Sequence, residues 1–128
     1  MAKIVHFELP IDDPVRATAF YRDVLGWEVA QFGEAPYWLV TGGDPQAPGA
    51  NGALVLHNET QAAPVLIAGV DDIDAALDRA VALGAALVQA KLPVPGVGWS
   101  AYVRDPEGNT LGLFQDDPAA AYPDAGPA

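Results

Sequence analysis

The chain has 128 residues, 51% of them hydrophobic, no cysteine, and 17 Asp and Glu against six Lys and Arg, for a formal net charge of −11. Such a length and apolar content suit one domain with its own core, and the missing cysteines exclude disulfides, thiolate metal sites and a cysteine nucleophile. The acidity disfavours nucleic acid and anionic membranes as partners through long-range repulsion, leaving neutral or cationic small molecules as the expected ligands.

No apolar run reaches the roughly 20 residues that span a bilayer. The segment Met1 to Glu8 lacks the apolar core and cleavage site of a signal peptide, so a cytoplasmic location is expected. The pattern predicts a first strand over Ile4 to Pro10, with Ile4, His6 and Glu8 on one face and Val5, Phe7 and Leu9 on the other. Asp12-Asp13-Pro14 gives a capped helix start. Ala17, Phe20, Tyr21 and Val24, spaced i, i+3, i+4 and i+7, predict its buried face, and Leu25-Gly26 its end. Strands are predicted over Trp27 to Ala30, Tyr37 to Thr41 and Gly52 to His57, with Gly42 to Asn51 as a loop.

The same order then returns. Val65 to Val70 reads as a strand, Asp71-Asp72 as a helix start, and Ile73, Ala76, Leu77 and Ala80 as a helix face closed by Leu83-Gly84. Further strands are predicted over Ala86 to Ala90, Ser100 to Val103 and Thr110 to Gln115. Asp13 matches Asp72 and Leu25-Gly26 matches Leu83-Gly84, so a βαβββ unit is repeated at a displacement of 58 to 59 residues. The expected organisation is one domain over 1–117, with module one at 3–57, a linker at 58–64 and module two at 65–115. Residues 118–128 are expected to form a disordered tail. Asp105-Pro106-Glu107-Gly108-Asn109 has the residues of a hairpin turn.

Taken together, the His-bearing first strand, Ala19-Phe20-Tyr21-Arg22-Asp23-Val24-Leu25-Gly26-Trp27, Val70-Asp71-Asp72 and Asp105-Pro106-Glu107-Gly108-Asn109 resemble the vicinal-oxygen-chelate superfamily, which includes glyoxalases, bleomycin-resistance proteins and dioxygenases. The resemblance spans about residues 4–115. It implies an α+β fold of two βαβββ modules forming a curved-sheet cup around a small ligand, commonly in a homodimer. In metal-dependent members, ligands come from the first and last strand of each module. The corresponding positions here are His6, Val65, Gly112 and about Leu54, so only one donor remains, and no metal or other cofactor is expected. A displaced site using Glu8, His57 and Gln115 is the alternative.

His6 and Glu8 on one strand face are the candidate catalytic pair, with His6 as base or acid and Glu8 as orienter or second base. A purely structural His–Glu hydrogen bond would satisfy the same two groups. Tyr37, Trp38, His57, Trp99, Tyr102, Arg104 and Gln115 are the candidate ligand-binding residues, the aromatics as pocket walls and Arg104 as an anion contact or a partner of Glu107 or Asp105. Pro93 to Trp99 is either a mobile lip presenting Trp99 or a passive connection. Two functions remain open: a metal-independent lyase or isomerase acting on a small carbonyl-containing or activated molecule, and a protein that sequesters a cationic drug, as bleomycin-resistance members do.

Overall fold

A computed structural model describes residues 2–123. The chain divides into two compact units, Ile4–Leu66 in one and the remainder of the described residues in the other. No helix among the described residues is long and apolar enough to cross a membrane.

Module one runs β1 (Lys3–Ile11), α1 (Pro14–Leu25), β2 (Glu28–Gln31), β3 (Tyr37–Thr41) and β4 (Asn51–Leu56). Its strands lie in the order β2-β3-β4-β1, with β4 parallel to β1 and antiparallel to β3. Asp13 starts α1 as anticipated, its Oδ1 accepting the Val15 and Arg16 N–H groups at 3.0 and 3.1 Å. Gly26 ends it at φ +69°, a left-handed conformation that a Cβ would strain.

Strand alternation divides module one cleanly. Phe7, Leu9 and Ile11 of β1, Trp38 and Val40 of β3, and Leu54 and Leu56 of β4 pack with Ala17 and Tyr21 of α1. His6, Glu8, Tyr37, Ala53 and Val55 therefore occupy the opposite face, open only in that α1 does not cover it, since Glu8, Ala53 and Val55 are buried there. The buried face of α1 is narrower than its periodicity predicts. Ala17 and Tyr21 dock, while Phe20 and Val24, on the same helical stripe, remain 57% and 60% exposed. Gly52 permits close strand approach, since a Cβ there would lie 2.5 Å from the Phe7 carbonyl oxygen.

Module two runs β5 (Val65–Gly69), α2 (Ile73–Ala82), β6 (Ala86–Val94), β7 (Gly98–Arg104) and β8 (Thr110–Asp116), in the order β5-β8-β7-β6. Asp72 caps α2 through the Ala75 N–H at 3.0 Å. Ala68, Ile73, Ala101 and Leu113 form its core, with Ala76, Leu77, Trp99 and Leu111 packed against them. Strands β6 and β7 extend beyond the predicted segments, up to the Pro95–Val97 turn, with register shifts between Leu87 and Leu92.

The expected disorder from residue 118 is corrected over its first residues. Asp117 N–H donates to Val97 O at 3.0 Å, Gly96 N–H to Ala120 O at 2.9 Å, and Ala120 is only 3% exposed. Backbone pairing, invisible to an apolar-periodicity reading, holds this segment against the β6–β7 turn. Residues 124–128 lie outside the described residues.

Candidate functional site

The open face of module one brings four side chains into two fixed pairs. His6 Nε2 and Tyr37 Oη are 2.7 Å apart, while Gln61 Nε2 donates to Glu8 Oε1 at 2.8 Å. Glu8 is 2% and Gln61 7% exposed, which places a carboxylate inside the protein with hydrogen bonding in place of water. His6 and Glu8 lie two residues apart on β1, so alternation directs both the same way.

Gln61 reaches Glu8 because Asn58 organises the preceding turn. Asn58 Oδ1 accepts the Thr60 and Gln61 N–H groups, both at 2.8 Å, and its Nδ2 donates to Leu56 O at 3.0 Å. This segment was expected to be a plain linker, and Gln61 was missed. Asn58, a turn-forming residue three positions before Gln61, was the available signal, but no periodicity links residue 61 to residue 8.

Burial holds the His6 pKa below its usual 6.5, the Glu8 carboxylate opposing that shift through its charge. His6 is therefore a neutral imidazole at neutral pH. In the tautomer with Nε2–H donating to Tyr37 Oη, Nδ1 carries the available lone pair. Among the described residues His6 makes no other hydrogen bond.

Several expected pocket residues lie elsewhere. Trp38 packs in the α1-side core, since alternation turns it away from Tyr37. Trp99 packs against the α2-side core, donates Nε1–H to Asp117 Oδ2 at 2.9 Å, and has Lys91 Nζ 4.7 Å from its ring centroid. The segment preceding it is a hairpin held by residues 117 to 120 and does not present Trp99 as a lip. Gln115 Oε1 accepts the Ile73 N–H at 2.9 Å and so extends the start of α2. His57 Nδ1 lies 2.6 Å from Asp12 Oδ1 just past β4. Arg104 is exposed at the end of β7 and forms no ion pair among the described residues. Asp105 instead accepts Glu107 and Asn109 N–H groups within its turn, and the Asn109 backbone bond is the main cause of its lowered pKa. Tyr102 is buried on the open face of module two, opposite Gly112 in register.

The donor positions can now be assigned from the strands. Leu54 faces α1, and the open-face position of β4 is Ala53, paired in register with Glu8. Gly112 has no room for a glutamate, since even a Cβ would meet Ile67 Cγ1 at 2.5 Å and Tyr102 Cε1 at 3.2 Å. His6, Ala53, Val65 and Gly112 thus offer one donor, and among the described residues no three of His, Cys, Asp and Glu converge. The displaced alternative gains no support, because Glu8 Oε1 accepts from Gln61, Gln115 Oε1 accepts the Ile73 N–H, and no such cluster forms among the described residues. The residues do not fit a divalent ion.

Two βαβββ modules, each with one helix against one sheet face, define the α+β fold of the glyoxalase, bleomycin-resistance and dioxygenase superfamily. The sequence matches the glyoxalase-like domain over residues 6–114, and the chain belongs to that family. No curated protein matches it by sequence. Among solved structures, a superfamily member from Vibrio splendidus 12B01 is 21% identical, with 91% of this chain and 100% of that one covered and a TM-score of 0.65. Methylmalonyl-CoA epimerase from Mycobacterium tuberculosis is 19% identical over 89% and 87%, with a TM-score of 0.62. The Streptomyces coelicolor epimerase, bound to 2-nitronate-propionyl-CoA, is 14% identical over 94% and 99%, with a TM-score of 0.63.

Proposed function

We propose that the chain is an enzyme of the isomerase or lyase type that moves a proton beside the carbonyl of a small molecule, without a metal. The observation that carries this reading is the pairing on one open face: a neutral His6 fixed through Nε2 by Tyr37, beside a buried Glu8 fixed by Gln61. In this reading His6 Nδ1 removes the proton. Tyr37 Oη holds the imidazole in the required tautomer, and the Glu8 carboxylate favours the imidazolium as it forms. Return of the proton to the same or a neighbouring carbon completes an isomerisation. Two structural relatives being named epimerases supports the reaction class. The net charge of −11 favours a neutral substrate over a polyanionic one.

The test is deuterium uptake from D2O at the carbon next to the carbonyl, across a panel of small α-substituted aldehydes, ketones and thioesters that includes methylmalonyl-CoA. Uptake into at least one, lost with His6→Ala, is expected; no uptake, or uptake indifferent to His6, would overturn the proposal. The second reading, sequestration of a cationic drug, draws on the acidity alone. Calorimetry with bleomycin, followed by recovery of the unchanged drug, tests it. A cytoplasmic homodimer completes the proposal, and a monomer at all micromolar concentrations in sedimentation would contradict the dimer.

A further inference from the structure

The hairpin joining β2 to β3 sets a half-exposed aromatic ring beside the acid–base pair. Phe32 N–H donates to Tyr37 O at 2.9 Å and Ala35 N–H to Phe32 O at 3.1 Å. Gln31 Nε2 donates to Ala35 O at 2.8 Å, which closes the turn around Gly33 at φ +59°. Pairing with Tyr37 turns Phe32 to the face away from α1. The Phe32 ring lies edge-on to Tyr37 with centroids 6.4 Å apart, and the Tyr37 ring is nearly parallel to His6 with centroids 6.3 Å apart. Even so, Phe32 is 43% exposed, and Ile4 and Leu39 on the same face are exposed as well. Module one keeps its cations elsewhere: Arg16 and Arg22 are on α1, and alternation along β1 turns Lys3 the same way as Phe7.

We propose that Phe32 is a specificity residue of the His6 site and that the substrate is an uncharged aryl carbonyl compound, its ring held against Phe32 and Tyr37. The inference rests on the acid–base reading and names its substrate class. A flat ring gains contact with both aromatics, and the hairpin holds Phe32 in place before the ligand arrives. The charge preference follows from Glu8. A carboxylate or phosphate on the substrate would meet a like charge there, with no Lys or Arg of module one on that face to balance it.

The test begins with an amide NMR titration of the full chain with benzamide, with acetamide, which lacks the ring, and with benzoate, which adds a charge. Saturable benzamide shifts centred on His6, Phe32 and Tyr37 are expected, with the other two about tenfold weaker or more. Benzamide affinity should fall about fivefold or more in F32A and F32L and stay unchanged in F20A, an exposed ring on α1. The turn is held by main-chain groups and Gln31, so both Phe32 variants keep it. Deuterium uptake into phenylacetone should then fall further in F32A than uptake into butanone, whereas a purely structural Phe32 would slow both alike. Benzamide binding at Phe32 with no deuterium uptake by any substrate would sink the proton-transfer reading and leave the ligand class standing. Absence of saturable benzamide shifts, shifts centred elsewhere, unchanged affinity in F32A and F32L, tighter binding of benzoate, or equal slowing of the two ketones would each overturn the inference.

Discussion

At matching points of their first strands, module one carries His6 and Glu8 while module two carries Val65 and Ile67; at matching points of their last strands stand Ala53 and Gly112. The helix-side faces of both modules are apolar and do the same work. The open faces differ. Module one encloses a carboxylate and an imidazole, each with a hydrogen-bonding partner, whereas module two packs Ile67 and Tyr102 against a glycine. On the proposed function one copy of the repeat is arranged for chemistry and the other for packing, and the substitutions below set one copy against the other.

The largest effect is expected from His6→Ala, which should lower turnover by about 10²- to 10⁴-fold, the usual contribution of a positioned general base, with little loss of stability. Its module-two counterpart Val65→Ala should do the reverse. Val65 is 1% exposed, so truncation should cost about 1–3 kcal/mol in denaturant unfolding while the rate stays within a few fold. Next is Gly98→Ala, whose Cβ would lie 2.2 Å from the Gln115 carbonyl oxygen. Backbone must shift to admit it, and a loss of about 3 kcal/mol is expected. Glu8→Gln should change activity or ligand affinity by about tenfold, against no change for the exposed Glu28→Gln, because only the former alters charge inside the protein. Gln115→Ala should cost about 1 kcal/mol of stability through the lost Ile73 contact, with no change in rate. Gln61→Ala should instead impair rate along with stability.

The fold was legible because its signals are local and repeated. Asp13 and Asp72 cap their helices where the sequence placed them, and alternation along β1 put His6 and Glu8 on one side. The partners were not legible. Tyr37 and Trp38 are neighbours in sequence and in aromatic character, and which one meets His6 depends on the pairing of β3 with β4. Gln61 and the 117 to 120 segment act through single hydrogen bonds from irregular chain, where no period operates. Trp99 looked like a pocket wall because composition cannot tell the two faces of a strand apart.

A small pH effect follows from His6. The unfolded chain binds the His6 proton near 6.5, the folded chain more weakly. Stability from this group is therefore complete above that pH and declines as pH falls below it. His6→Asn should remove that part of the acid sensitivity in equilibrium unfolding.

The coupling between His6 and Glu8 is read most directly from the NMR titration of the His6 imidazole in the native chain and in Glu8→Gln. A midpoint below 6.5 that moves lower still when the Glu8 charge is removed is the predicted result. A midpoint at or above 6.5, or one that Glu8→Gln leaves in place, would contradict a neutral His6 base electrostatically coupled to Glu8.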